Sequence, residues 1–474
     1  MSSSTMGETA HGLEILRPLG KLEQIASSCH HIGFFNNVGL SAWYNLADSA
    51  SPPVFDLRSL IYTAVRDVVR KHRILSAIPV NEDTPNPHFA ALPSVDLDRC
   101  ITFLQRSKDL DTTGGEDKKL DSILEDQHNT DFKCDYGTLP FWRLIILQSP
   151  GKDNEFTASF VYHHGIGDGV AGLGFHDAFR QALDTASSSP SKVGTIITPD
   201  EPSPLLHPLE ELHDLPINPT PPQPPTANLA EWTGNPIHIP CKSRWATFYV
   251  SSNATRGFLR QCKENRQSVT SVLSSVIATV SFARLPSTVE ALTCIIPVNL
   301  RPWLKIPHNA PGTYFDATRT QFTRDAQTSQ DPSSVDVWSG ARKASAAIKN
   351  YLSNVSPSGE PYTSVAIFKS IPDVAVVLES QIGRPRDAAF EVTNVGLVSS
   401  STPPTTEEGA CMWQVDTVLL SRSAGAAGAA FTVSAATGKN GIMALGFSWQ
   451  EGVVEDSFVD SVRQGVKKFF DKYE

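Results

Sequence analysis

The sequence predicts a mixed α/β protein of two lobes. Three observations carry that expectation. Apolar runs that read as strands and runs with helical spacing are mixed in both halves of the chain, without strict alternation. A proline-dense stretch, ten prolines in the 27 residues from Pro199 to Pro225, divides the chain nearly equally. No helix or central strand is expected at that density, so it reads as a stiff, extended connector. At 474 residues the chain is long enough for two or three domain-sized units. The expected organisation is a first lobe over 1–198, a crossover linker over 199–240 and a second lobe over 241–474.

Taken in order, Leu16 to Tyr44 begins with Pro18 and Gly20, which are expected to block an amphipathic helix, so no membrane anchor is read there. Val38 to Tyr44 reads as a strand. Asp56 can cap a helix whose apolar positions are Leu57, Leu60, Ile61, Ala64, Val65, Val68 and Val69. A strand follows from Ile74 to Val80. The charged stretch Lys108 to Asp121, with Gly114-Gly115, reads as an exposed loop. Phe141–Leu147 and Phe156–Tyr162 read as strands joined by the turn Gly151-Lys152-Asp153-Asn154.

The second half opens with a strand, Trp245 to Val250, then helices near Ala254–Cys262 and Thr270–Ala283. A strand from Ala291 to Val298 ends in Asn299-Leu300-Arg301-Pro302. Ser333 or Ser334 is expected to cap a helix containing Val337, Trp338, Ala341, Ala344, Ala347, Ile348 and Leu352. Strands follow near Phe390–Val398, Trp413–Leu420, Ala429–Ala435 and Ile442–Trp449. An amphipathic helix from Phe458 to Phe470 closes the chain.

The formal net charge of −10 argues against a nucleic-acid partner, while leaving room for a local basic pocket. Seven cysteines are scattered, with no Cys-x-x-Cys pair, and Met1 to Gly12 carries no apolar signal-peptide core. These features lead to the expectation of reduced thiols and a cytoplasmic location. No run of about eighteen apolar residues predicts a transmembrane segment.

The chemistry concentrates at Tyr162-His163-His164-Gly165-Ile166-Gly167-Asp168-Gly169, where an apolar strand runs into a glycine-punctuated apolar run. A neutral imidazole held at a strand end can take a proton near neutral pH. An aspartate four residues on can orient the loop through an arginine or backbone N–H groups. No Gly-x-Ser-x-Gly elbow supplies a nucleophile; Ser421-Arg422-Ser423-Ala424-Gly425 lacks the first glycine. A base without a covalent nucleophile suits direct attack by a bound alcohol or amine on a bound acyl donor. A metal site, or two satisfied histidines beside a turn, are the competing readings. No second His/Asp/Glu cluster with ligand spacing is found in the sequence, so no metal is expected. The pair His30-His31 lacks the following aspartate and reads as structural or channel-lining.

His163-His164-x-x-x-Asp168-Gly169 resembles the active-site motif of the coenzyme A-dependent acyltransferase superfamily, which includes chloramphenicol acetyltransferase, plant BAHD acyltransferases and condensation domains. The stretch from Leu16 to Tyr44 further resembles the fungal alcohol acetyltransferase family. So do Val298-Asn299-Leu300-Arg301-Pro302, Thr393-Asn394-Val395-Gly396 and Trp449-Gln450-Glu451-Gly452, in the expected order.

The resemblance implies two chloramphenicol-acetyltransferase-like lobes, each a mixed β-sheet packed by helices, with the active-site channel between them. It implies acetyl-CoA as co-substrate and a small alcohol or secondary metabolite as acceptor. By position, His164 matches the general base and Asp168 the structural aspartate, with Arg301 the expected partner of Asp168 and Gly169 completing the motif. His163 is expected to shape the substrate site, and Asn394 to lie near the reaction centre. The helix opening at Ser268, Thr270 and Ser271 is expected to place N–H groups against a CoA phosphate. No Asp-Phe-Gly-Trp-Gly of the plant branch is present; the stretch Ser421 to Gly428 stands roughly where it would lie. The expected activity is acetyl-CoA-dependent O-acyl transfer by a monomer, which can form its site alone. An amine N-acetyltransferase and a carrier-protein-dependent or non-catalytic binding module are the alternatives.

Overall fold

The computed structural model describes residues 9–10, 12–47, 56–107, 115–152, 154–188, 194–198, 204–219, 229–324, 336–398 and 413–474. The protein is a mixed α/β structure organised on two principal sheets. The first has five strands, in the order Trp413–Arg422, Val38–Leu46, Glu155–Tyr162, Trp142–Gln148, Ile101–Gln105. All its neighbours pair antiparallel except Ile101–Gln105 with Trp142–Gln148. The second has six strands, in the order Ser243–Val250, Met443–Gln450, Ala429–Thr437, Ala388–Leu397, Ala291–Asn299, Phe315–Thr323. The edge strand Trp413–Arg422 of the first sheet lies far beyond the proline-rich connector. It bonds across to Val38–Leu46 through pairs such as Leu420 with Leu40 and Arg422 with Val38. One piece of the second half of the chain therefore closes the sheet of the first.

Two large apolar cores sit against these sheets. The helix Leu57–Lys71 starts where Asp56 accepts the Ser59 N–H at 3.1 Å. Its stripe Leu60, Ile61, Ala64, Val65, Val68 and Val69 is buried beside the 20-residue helix Gly169–Ser188. In the second core, the closing helix Asp456–Asp471 buries Val459, Val462, Val466, Phe469 and Phe470. A Cβ on Gly465 would lie 2.4 Å from Val280 Cγ1, so glycine is what lets this helix approach Val269–Phe282.

Several expectations are corrected. Pro18 and Gly20 do not abolish a helix. They delay it: Lys21–His31 is helical, and Glu23 reaches back to the Gly20 N–H at 2.7 Å. The strand expected from Ile74 begins at Ala77, after a 3₁₀ turn over Arg73–Ser76. Lys118–Asp121 opens a helix, Lys118–His128, capped by Asp117; residues 108–114 lie outside the described residues. Ser333 and Ser334 also lie outside them, and the described cap of Val337–Ser353 is Asp336. Within the connector, Pro208 opens a short helix, Leu209–Leu212, in the proline-free stretch before Pro216. No helix of the described residues is long and apolar enough to cross a membrane.

Candidate active site

Strand Glu155–Tyr162 delivers its last residue opposite Val38 and Trp142. The loop His163–Asp168 then turns directly into the helix Gly169–Ser188. Asp168 caps that helix: its Oδ1 accepts the N–H groups of Val170 at 3.1 Å and Ala171 at 3.0 Å. The same carboxylate meets Arg301, Nη1 to Oδ2 at 2.7 Å and Nη2 to Oδ1 at 3.0 Å. The Arg301 side chain is wholly buried. Its Nε and Nη2 also donate to the Ala310 carbonyl, and Nη2 to that of Gly312. Asp168 Oδ2 takes a further N–H from Tyr314 at 3.0 Å. The charge is thus paired and every carboxylate oxygen is hydrogen-bonded, as a buried ion pair requires.

His164 stands on the wall of a cavity of about 390 Å³. Its Nδ1 lies 3.0 Å from the Gly167 carbonyl, which can only accept, so Nδ1 carries the proton. Nε2 is left with the lone pair. The ring is stacked on Phe315, with centroids 5.2 Å apart and planes 9° from parallel, and Phe35 lies 5.7 Å away. Burial and then the Arg422 guanidinium push its pKa below the ordinary imidazole value, against the opposing pull of the Gly167 hydrogen bond and Asp168. The imidazole is therefore a neutral acceptor at neutral pH.

The cavity wall is mostly apolar, with Leu22, Ile25, Phe34, Val38, Val298 and Leu420 among its residues. Two charged side chains face each other within it: Arg422 Nη1 and Glu391 Oε1 are 2.5 Å apart. Arg422 also lies over the Phe35 ring, 4.9 Å from its centroid.

The residues singled out in the sequence fall into three groups. His164, Asp168, Gly169 and Asn394 line this cavity, and Arg301 braces Asp168 from behind. A Cβ on Gly169 would lie 3.0 Å from Val395 Cγ1, so the loop packs closely on the second sheet. Asn394 is already engaged, its Oδ1 accepting the Gly396 N–H and its Nδ2 donating to Thr270 Oγ1. Ser268 caps its helix by accepting the Ser271 N–H at 3.1 Å, and both serines line a separate open groove with Ser345 and Lys349.

His163, expected at the substrate, does not line the cavity. Its ring is buried, accepts the Gly165 N–H at Nδ1 and turns Nε2 towards Glu82. The sequence reading also missed Phe35, Thr313, Phe315, Glu391 and Arg422 as cavity residues. Phe35, in Leu16 to Tyr44, and Arg422, in Ser421 to Gly428, lie in stretches that were marked without marking the residues, and the other three sit in no motif.

The alcohol acetyltransferase family profile matches residues 104–222. The chain is similar to the probable alcohol acetyltransferase crmB of Aspergillus fumigatus, with 62% identity over 463 residues, covering 96% of this chain and 99% of that protein. It is 21% identical over 503 residues to the probable alcohol acetyltransferase FCK4 of Fusarium pseudograminearum, covering 98% and 96%. In fold it resembles the TRI3 trichothecene 15-O-acetyltransferase of Fusarium sporotrichioides, with a TM-score of 0.71 at 12% identity over the whole of both chains. It also resembles the first condensation domain of the calcium-dependent antibiotic synthetase, with a TM-score of 0.63 at 10% identity and 96% of each chain covered. On its identity to the Aspergillus protein over nearly its full length, the chain belongs to the alcohol acetyltransferase family.

Proposed function

We propose that this acyltransferase moves an acetyl group from acetyl-CoA to the hydroxyl of a small alcohol or secondary metabolite, with His164 as general base. The observation that carries the reading is the His164 ring itself. It stands on the wall of an apolar cavity with Nδ1–H tied to the Gly167 carbonyl, so Nε2 holds a fixed lone pair. Its depressed pKa keeps that lone pair free at neutral pH.

In this reading the acceptor O–H proton passes to Nε2 as the oxygen bonds to the thioester carbonyl carbon. The C–S bond then breaks, and the proton on Nε2 goes to the departing thiolate. Asp168 and Arg301 do not touch the reacting atoms; they hold the loop that aims His164. No metal takes part. All these groups come from one chain, so the proposed site needs no second subunit; the enzyme is proposed as a cytoplasmic monomer. The proposed lobes are 1–198 and 241–474 with 199–240 as the crossover; the strand Trp413–Arg422 pairs in the same sheet as Val38–Leu46.

The test is thiol release from acetyl-CoA across a panel of alcohols and amines. Alcohol-dependent release is the expected result. Release with amines alone would move the activity to N-acylation. No release from any free acyl-CoA, by folded protein, would favour a carrier-bound donor or a binding role.

A further inference from the structure

Behind the loop that carries His164 lies a second cluster of ionisable groups. His30, Glu82 and His163 are all buried, with candidate ligand atoms within 4.8 Å of one another. Ser27 Oγ donates to Glu82 Oε1 at 2.7 Å. His30 Nδ1 lies 3.2 Å from Glu82 Oε2, and His163 Nε2 lies 3.7 Å from Oε1. The two rings meet edge to face with centroids 4.8 Å apart, and Phe141 packs on both.

The backbone settles where the ring protons sit. The Phe132 N–H donates to His30 Nε2, and the Gly165 N–H donates to His163 Nδ1, each at 3.0 Å. An N–H cannot accept, so each ring gives a lone pair to a backbone amide and carries its proton on the nitrogen facing Glu82. A metal ion would need a lone pair on those same nitrogens. The cluster therefore suits a polar brace, in which the Glu82 charge faces the His163 N–H across 3.7 Å, rather than a metal centre. The Ser27 hydroxyl and the His30 N–H bond the Glu82 carboxyl group, and the His163 N–H faces the same group at 3.7 Å, beyond hydrogen-bond distance.

The brace leads to the base through one peptide. The Gly165 N–H and the His164 carbonyl belong to the same peptide plane. His163 Nδ1 holds the first, and Thr313 Oγ1 donates to the second at 2.8 Å. That plane sets the direction in which the His164 ring leaves the backbone. A Cβ on Gly165 would lie 2.9 Å from His163 Cε1 and Nδ1, which shows how closely the ring covers this peptide.

We propose that Glu82 is a positioning residue for acyl transfer, acting through His163 to fix the peptide that carries His164. The proposal rests on the reading of His164 as the base. The nearby carboxylate charge favours a proton on His163 Nε2, which supports the tautomer whose Nδ1 accepts the Gly165 N–H, and that accepted N–H fixes the base. Glu82→Gln breaks this logic at one atom. The amide offers one acceptor oxygen, and its NH₂ group must face a ring N–H or the Ser27 hydroxyl. In either placement the charge facing His163 Nε2 is lost, and with it the support for the tautomer that holds Gly165.

The experiment measures kcat and KM for acetyl-CoA and an accepted alcohol in Glu82→Gln, with His164→Ala alongside and folding checked by circular dichroism. A misaimed base should lower kcat by about tenfold to a hundredfold per folded molecule, with both KM values little changed. A purely structural brace would lower yield and melting temperature and leave kcat per folded molecule at the parent value, which would overturn the proposal. If Glu82→Gln does not fold, Ser27→Ala decides. It removes one hydrogen bond to the carboxyl group, and a severalfold lower kcat at constant KM supports the proposal, while parent kcat overturns it. If His164→Ala keeps parent turnover, the base assignment itself fails. If His164→Ala is inactive and Glu82→Gln is not impaired, only the positioning role fails.

Discussion

Arg301 and Asp168, 133 residues apart in sequence, meet in a two-point ion pair at 2.7 and 3.0 Å beneath the candidate catalytic loop. The pair joins the end of strand Ala291–Asn299 to the start of helix Gly169–Ser188, and so ties the six-stranded sheet to the loop that carries His164.

Removing one partner leaves a buried charge uncompensated. Asp168→Asn and Arg301→Ala should each lower the unfolding free energy by about 3–5 kcal/mol. Arg301→Lys keeps the charge but cannot reproduce the fork that also serves the Ala310 and Gly312 carbonyls, and should recover only part of the loss. Denaturant unfolding of the three variants checks this; parent stability in Asp168→Asn would mean the pair bears no load.

Gly165 is pressed against the His163 ring. Gly165→Ala should displace the peptide after His164 and lower kcat by about tenfold or more, because small misplacements of a base are costly. Steady-state kinetics on the folded variant reads this directly, and an unchanged kcat would show that the ring yields freely.

The acid limb of kcat/KM should fall below pH 6.5, the ordinary imidazole value, because burial and Arg422 disfavour protonated His164. Arg422→Met removes the positive charge and uncovers Glu391, and both changes favour the imidazolium. The limb should therefore move upward in that variant. A limb that stays in place would exclude Arg422 as a cause.

Stability should also fall on acidification. Burial holds His176 down to about 4 and His128 down to about 3, while the unfolded chain takes up these protons near 6.5. Between about pH 6.5 and 4 the unfolded state thus binds more protons, and each histidine lowers stability by roughly 1.4 kcal/mol per pH unit as pH falls. Denaturant unfolding at a series of pH values reads the slope. A flat profile over that window would contradict the buried, neutral assignment.

Much of the fold was legible because the signals were local. The stripe of Leu57–Lys71 and the cap at Asp56 lie within one helix, and the strand into His163 is a single apolar run. The motif marked His164 and Asp168, and a resemblance supplied Arg301. Glu82 was not legible. It stands 52 residues from His30, in no motif, and its meaning comes only from the way three segments fold onto it. The same holds for Arg422 with Glu391, which lie on strands of the two different sheets and meet only through the way those sheets come together. The helix Lys21–His31 was missed for a different reason: its breakers precede it, and a glycine at the cap position starts a helix as readily as it ends one.

The central claim is that His164 removes the acceptor proton. The most direct measurement is the turnover of His164→Ala with acetyl-CoA and an accepted alcohol, on protein shown to be folded. Loss of about 10²–10⁴-fold in kcat, with stability near that of the parent, is the predicted result. Turnover equal to the parent would contradict the mechanism.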